Sequence, residues 1–177
     1  MRIELYIQPE AIEQIEIKIG QANYRHGAGF QVKTVSNALM SVAYCVAVAI
    51  VDGKAFLDQF TEEKISDPRI QNLLKRCRTT LDAEVDSLGL EKRDCTTVTI
   101  MLKDGSRYGK TKDFAKGHPS NPMTREEIIN KFKALTIPVG FSKQTDQIID
   151  RIASLDISEN AAQMGPWMTL GEHRDDD

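Results

Sequence analysis

Residues 38–53 read ALMSVAYCVAVAIVDG, a stretch in which almost every position is apolar. Apolar side chains on all sides of a helix are typical of a helix buried inside a domain. The stretch therefore predicts one buried helix over residues 37–52. Gly53 follows directly and predicts the carboxy-terminal end of that helix. We expect the other elements of the domain to surround it.

Four polar residues interrupt the apolar pattern of this predicted helix. At about 100° per residue they share an arc of roughly 80°. They are Asn37, Ser41, Tyr44 and Asp52. Such a stripe faces either a polar contact inside the protein or a cleft, and a buried tyrosine hydroxyl must find a hydrogen-bond partner. The pattern alone favours the internal contact, because isolated polar residues on buried helices are usually satisfied within the protein.

Two segments outside this helix show the alternation of half-buried strands. Residues 15–19 alternate isoleucine with charged residues, and residues 97–103 place apolar side chains at every second position. Asp104-Gly105 then predicts a tight hairpin turn between two strands. Residues 24–34 contain two glycines and no sustained period, which predicts a connecting loop.

A capped helix is predicted in the middle of the chain. Asp67 is a favourable N-cap residue and Pro68 fits the first helical turn. Residues 61–63, Thr-Glu-Glu, predict a short helical turn ahead of it. The apolar residues that follow at helical spacing are Ile70, Leu73, Leu74 and Cys77.

Two more helices are predicted in the last third of the chain. Thr124 and Glu127 have the spacing of a capping box, and the helix they begin should end before Pro138. Its predicted buried stripe consists of Ile128, Ile129, Phe132 and Leu135. The last helix is predicted from about Ser142. Together, the strands and helices predict an α+β domain with a small, mostly antiparallel sheet and a hairpin, packed against several helices.

Length and composition are those of one globular domain. The 177 residues are 41% hydrophobic and 28% charged, with a formal net charge of -3. We expect the domain to span residues 1–155 and a divergent tail to span residues 156–177. No basic face predicts a nucleic-acid partner, and the longest apolar run is about half the length of a membrane span. Without a secretory signal pattern, we expect a cytoplasmic protein and no membrane partner.

Possible metal ligands are scattered along the chain. The histidines and cysteines form no metal-binding or redox motif, so we expect no metal site and reduced thiols. These residues are His26, His118, His173, Cys45, Cys77 and Cys95. His118 lies beside Lys116 in the turn-rich segment 116–122, where it can contact an anionic ligand. An exposed turn residue is the more ordinary interpretation.

Several segments follow the order seen in the MmgE/PrpD family, to which 2-methylcitrate dehydratase belongs. Residues 38–53 resemble its signature, whose frame is an alanine, a serine three residues on, a tyrosine three further, a small residue and a closing Asp-Gly. The other similar segments are residues 67–70, 98–105, 116–122 and 131–132. The resemblance runs from about Pro9 to about Leu155 and is to the carboxy-terminal α+β domain of the family.

The resemblance implies an enzyme whose active site lies in a cleft between two domains. Family members act on small di- or tricarboxylic acids without a metal or organic cofactor. They dehydrate 2-methylcitrate, decarboxylate cis-aconitate or epimerise iminodisuccinate. Most of the catalytic His, Asp and Lys residues belong to a helical domain that this chain does not resemble. The resemblance therefore implies a lyase or isomerase domain that is inactive without a helical partner domain or chain.

Few site residues carry over from the family to this sequence. Tyr44 matches the signature tyrosine, which faces the cleft and serves in proton transfer or in hydrogen bonding to substrate. Ser41 matches the signature serine, which is either a substrate contact or a packing group. Met40 stands where relatives often have His or Phe, so the resemblance specifies no particular substrate.

Two further functions are compatible with the sequence. The first is a non-catalytic domain that self-associates into a homo-oligomer, because an isolated domain exposes the apolar face that a helical domain normally covers. The second is a small-carboxylate-binding module, for which we expect the lone domain to bind citrate analogues.

Overall fold

The computed structural model describes residues 7–27, 31–87, 89, 94–142, 144–157, 160, 162 and 165. The chain divides into two compact units, Met1–Asn121 and Pro122–Asp177. The tail predicted from residue 156 lies mostly outside the described residues, as does Trp167 within it. The predicted division of the chain at residues 155 and 156 therefore stays a prediction.

A four-stranded mixed sheet forms the framework of the first unit. Its strands are β1 (Ile12–Ile19), β2 (Cys77–Leu81), β3 (Thr96–Leu102) and β4 (Arg107–Lys112). They lie in the order β2-β1-β3-β4, and β1 pairs parallel with β2 but antiparallel with β3. The pairing of β3 with β4 is also antiparallel. The predicted α+β class and mostly antiparallel sheet are confirmed.

Strand β1 supplies one side of the hydrophobic core. The alternation of residues 15–19 is interrupted before Ile15, where the pairing with β3 shifts register between Ile12 and Gln14. A bulge of this kind adds one residue to the strand, which returns Ile12 to the buried face. Its four isoleucines, each with no solvent exposure, are Ile12, Ile15, Ile17 and Ile19.

Short helices surround this core. The α-helices among the described residues of the first unit are α1 (Gln21–Gly27), α2 (Val35–Met40), α3 (Val42–Asp52), α4 (Glu62–Ser66), α5 (Pro68–Leu74) and α6 (Ala83–Ser87). The predicted loop over residues 24–34 was wrong in its first part, because α1 continues to Gly27. Asp67 caps α5 as predicted. Cys77, however, is wrongly placed on that helix, since it begins β2.

The long helix predicted over residues 37–52 is two helices, and this prediction was wrong. Ser41 separates α2 from α3, because its backbone is extended, with φ -98° and ψ 111°. Its side-chain oxygen accepts a hydrogen bond from Tyr44 N at 3.2 Å, so Ser41 is the N-cap of α3. The predicted end is confirmed, since Gly53 adopts the left-handed conformation with φ 75°.

The predicted hairpin joins β3 to β4. Leu102 N donates to Ser106 O at 2.9 Å, and the carboxylate of Asp104 accepts from Ser106 N at 2.8 Å. Gly105 has φ 85°, a conformation that residues with a side chain rarely adopt. The Asp-Gly turn predicted from the sequence is thereby confirmed.

The second unit contains α7 (Arg125–Thr136) and α8 (Thr145–Ala153). The capping box is confirmed: Thr124 Oγ1 accepts from Glu127 N at 3.2 Å, and Glu127 Oε2 accepts from Thr124 N at 2.7 Å. The predicted stripe on α7 is not fully buried, since Ile128 is 55% exposed. Across the part of the chain that is described, no helix has the length and apolar character needed to cross a bilayer.

Candidate functional site around Tyr44

Tyr44 lies in the first turn of α3 and is completely buried. Its hydroxyl donates a hydrogen bond to the main-chain oxygen of Gln59 at 2.7 Å. Its ring centroid lies 5.5 Å from that of Phe60, with the two planes tilted by 50°. Such contacts fix both the polar and the apolar parts of the side chain.

The Gln59 segment is itself held in place by polar contacts. The side-chain Oε1 of Gln59 accepts a hydrogen bond from Phe56 N at 3.1 Å, and its Nε2 donates to Asp52 Oδ2 at 3.4 Å. The same Asp52 oxygen forms an ion pair with Lys64 Nζ at 2.6 Å. We call Tyr44, Gln59, Asp52 and Lys64 the Tyr44 network.

The electrostatics of this network keep the tyrosine hydroxyl protonated. Burial raises the pKa of Tyr44, and the negative charge of Asp52 raises it further. Because the neutral phenol is retained at physiological pH, Tyr44 can donate a hydrogen bond or a proton but is a poor base.

The polar stripe predicted from the sequence therefore makes internal contacts at three of its members, as the pattern favoured. Tyr44 reaches Gln59, and Asp52 reaches both Gln59 and Lys64. Ser41 is 3% exposed and contacts Tyr44 through the main-chain N–H, not through the phenol. The catalytic role of Tyr44 and the substrate contact of Ser41 stay predictions.

His118 lies in the loop of residues 116–122, as predicted. Its ring stacks on Phe114 with 4.6 Å between the centroids. Its Nδ1 accepts a hydrogen bond from Ser120 N at 3.1 Å, so the proton of the neutral ring lies on Nε2. This orientation leaves the ring suited to donate from Nε2, but contact of His118 with an anion stays a prediction.

Sequence reasoning missed two residues of the network, Lys64 and Gln59. Gln59 is the partner of the Tyr44 hydroxyl. Its acceptor is a main-chain oxygen, which any residue type provides, and it lies 15 positions from Tyr44. No spacing rule connects the two residues. Phe60, which follows Gln59 and packs on the Tyr44 ring, was the available signal, because buried aromatic rings tend to pair.

The described residues contain no group of three His, Cys, Asp or Glu side chains that could hold a metal ion. Cys45, Cys77 and Cys95 all lie in the described part, and each is a thiol outside any disulfide. The reduced state of these cysteines stays a prediction.

The fold and the Tyr44 network define an α+β domain in which a mixed sheet packs on helix α3. Ser41 caps this helix, and its buried face carries Tyr44, Ala47 and Val48. The family model of the MmgE/PrpD C-terminal domain matches residues 1–156. The chain belongs to this family, and the resemblance of its signature is confirmed.

The chain is similar to cis-aconitate decarboxylases over part of their length. It is 31% identical to the enzyme of Aspergillus terreus over 122 residues, which are 66% of this chain and 24% of the relative. It is 27% identical to the Mus musculus enzyme over 94 residues, which are 53% of this chain and 19% of the relative. The chain thus spans about a quarter of the length of these relatives or less.

Proposed function

We propose that the chain is the tyrosine-contributing domain of a lyase that acts on a small tricarboxylic acid. A helical MmgE/PrpD domain, on the same polypeptide or on a second chain, supplies the other catalytic groups. The relatives named cis-aconitate decarboxylase support this class of reaction. The single observation that carries the role of Tyr44 is its position: a protonated phenol held at the start of α3, in the frame of the family signature.

The chemistry requires an acid beside the substrate. In decarboxylation of cis-aconitate, a C–C bond breaks, carbon dioxide leaves and the remaining electron pair takes up a proton. A phenol that stays protonated is suited to supply that proton or to hold a substrate carboxylate. In the described structure the Tyr44 proton is directed at Gln59 O, so we expect substrate binding to exchange this partner for the substrate.

The decisive experiment joins or co-expresses the chain with a helical MmgE/PrpD domain and measures turnover of cis-aconitate and 2-methylcitrate. We expect Tyr44→Phe to lower kcat by about 100-fold or more while the complex still assembles. Tyr108→Phe is the matched control, because Tyr108 lies on β4 and is 39% exposed. Failure of the wild-type chain to form a complex or to turn over either acid would contradict the proposal.

A second candidate function is self-association without catalysis. It is supported by a groove of about 340 Å³ in the second unit, lined by Ile128, Ile129, Phe132, Ile149 and Ile152. Ile128 and Ile152 are each more than half exposed. A second copy of the chain is the occupant we test by sedimentation velocity. Dissociation of a dimer by Ile152→Glu supports this candidate, and a wild-type chain that is strictly monomeric contradicts it.

A further inference from the structure

The side chain of Gln59 has a part in the Tyr44 network that its main-chain contact does not explain. Any residue type can supply the main-chain oxygen that accepts from Tyr44. Gln59 is nevertheless only 4% exposed, which is rare for a glutamine. A buried side-chain amide needs partners inside the protein for both its oxygen and its nitrogen. The partners of this amide therefore indicate what the glutamine contributes.

Both ends of the Gln59 amide have partners, and they belong to two different segments. Oε1 accepts from Phe56 N at 3.1 Å, while Gln59 N donates to Phe56 O at 2.9 Å. This reciprocal pair closes the turn of residues 56–60. Nε2 donates to Asp52 Oδ2 at 3.4 Å, and Asp52 is the last residue of α3. The amide thus joins the closed turn to the helix that carries Tyr44.

Asp52 is a fixed anchor for this contact. Its side chain is 12% exposed and forms the 2.6 Å ion pair with Lys64 Nζ on α4. The Gln59 amide and the Lys64 ammonium contact the same oxygen, Oδ2. Two partners on one oxygen restrict the carboxylate to one orientation. The hydrogen bond from Gln59 is also charge-assisted, because its acceptor is an ion-paired carboxylate.

The closed turn holds Tyr44 at two points. The main-chain oxygen of Gln59 accepts from the phenol at 2.7 Å, and the next residue, Phe60, places its ring 5.5 Å from the Tyr44 ring. When substrate takes the place of Gln59 O, the contact with the Phe60 ring remains. The orientation of the phenol therefore depends on how firmly the turn is attached to α3.

We propose that Gln59 is a positioning residue for Tyr44, whose buried amide fixes the turn that holds the phenol in place for proton transfer. This inference rests on the proposed function of Tyr44 and adds a residue that acts without touching the substrate. Glutamine suits this role because its side chain accepts from Phe56 N and donates to Asp52 at the same time. Glutamate has the same length but no donor when ionised, and it brings a second negative charge towards Asp52.

An exchange of the two polar groups tests this role. Gln59→Glu should break the contact with Asp52. Gln59→Glu combined with Asp52→Asn, called the paired variant, should restore the contact with donor and acceptor reversed. Gln59→Met removes the contacts without adding a charge. Gln8→Glu is the matched control, because Gln8 is exposed ahead of β1 and gains the same charge.

The phenol itself can be observed in the lone chain. Tyrosine labelled with carbon-13 at Cζ gives an NMR signal for each phenol, and the signal that disappears in Tyr44→Phe is that of Tyr44. We expect Gln59→Glu and Gln59→Met to shift this signal, because the hydrogen bond to Gln59 O is weakened. The paired variant should return the signal most of the way to its wild-type position, and Gln8→Glu should leave it unmoved.

Turnover provides the second measurement. In the active complex with a helical domain, Gln59→Glu should lower kcat by about tenfold, because a misplaced phenol transfers its proton less readily. KM should change by less than about threefold, since the contacts of the substrate itself are kept. The paired variant should recover most of kcat.

Three results would overturn the proposal. They are a Tyr44 signal that neither Gln59→Glu nor Gln59→Met moves, a paired variant that stays as far from wild type as Gln59→Glu, and an active complex in which Gln59→Glu leaves kcat unchanged. Circular dichroism establishes that each variant is folded, and Gln59→Met replaces Gln59→Glu if the latter is not. Because the NMR signal is recorded without a helical domain, it decides on Gln59 even when no complex turns over substrate.

Discussion

Tyr44 and Gln59 are joined by a 2.7 Å hydrogen bond from a buried phenol to a main-chain oxygen. This bond links the first turn of α3 to the segment ahead of α4. It gives the phenol a structural role that can be measured in the lone chain, without substrate or partner.

Tyr44→Phe should lower the free energy of unfolding by about 1–2 kcal/mol, because the Gln59 oxygen is left without its phenol donor. Urea denaturation followed by circular dichroism measures the change. Tyr108→Phe should shift the free energy by less than about 0.5 kcal/mol, since its side chain is partly solvated. Equal stability of Tyr44→Phe and wild type would mean that the hydrogen bond contributes nothing to folding.

Ser41→Ala should destabilise the chain by about 1 kcal/mol, because it removes the hydroxyl that caps α3. Ser41→Gly should cost less, since glycine is tolerated at an N-cap. Ser66→Ala is the control: the Ser66 hydroxyl donates to Glu62 O on an exposed helix but caps nothing. If Ser66→Ala proved as destabilising as Ser41→Ala, the capping role would be refuted.

The two glycines of the hairpin should respond differently to alanine. Gly105→Ala should destabilise by about 1 kcal/mol or more, because φ is 85° there. At Gly109 the backbone is not in the left-handed region, and an added Cβ would lie 3.5 Å from Thr99 Oγ1, an ordinary contact. Gly109→Ala should therefore be neutral or slightly stabilising. Thermal unfolding of the two variants measures this difference in stability. A larger loss of stability for Gly109→Ala than for Gly105→Ala would contradict the turn assignment.

Stability should fall at alkaline pH because of the half-buried thiol of Cys77. Burial raises the pKa of Cys77 from 9.0 to about 12. Below pH 9 the thiol is protonated in both the folded and the unfolded chain, so it does not weaken folding. As the pH rises from 9 towards 12, the unfolded chain loses this proton more readily than the folded chain, and the free energy of unfolding falls. Urea midpoints at pH of about 8 and about 11 measure the loss. Cys77→Ala should show a smaller fall than wild type, and an unchanged fall would assign the effect to other groups.

Local signals predicted the elements whose causes are local. The capping box at Thr124, the N-cap at Asp67 and the Asp104-Gly105 turn each depend on residues within three or four positions, and each is present in the structure. The strand at residues 15–19 was visible because its buried and solvated faces differ in polarity.

The wrong predictions have two causes. An apolar run concealed a helix cap, and pairing between strands far apart in sequence gives no local signal. Ser41 stands within an apolar run, so helical periodicity concealed its capping role. Cys77 has helical spacing from α5, yet it pairs with Ile15 in the parallel contact between β2 and β1. A polar contact such as that of Tyr44 with Gln59 requires the fold before it can be seen.

The central position of β1 has a consequence for the order of folding. Ile15 pairs with Cys77 on one side and with Ile100 on the other. Strand β1 is synthesised before β2 and β3, so it cannot pair until both of these strands have been made. The β3–β4 hairpin is local and can form quickly. The connections from β1 to β2 and to β3 are much longer, so these two pairings form more slowly. Until they form, the isoleucines of β1 are exposed on an unpaired edge, and this is the segment through which nascent chains would associate with one another or with a chaperone.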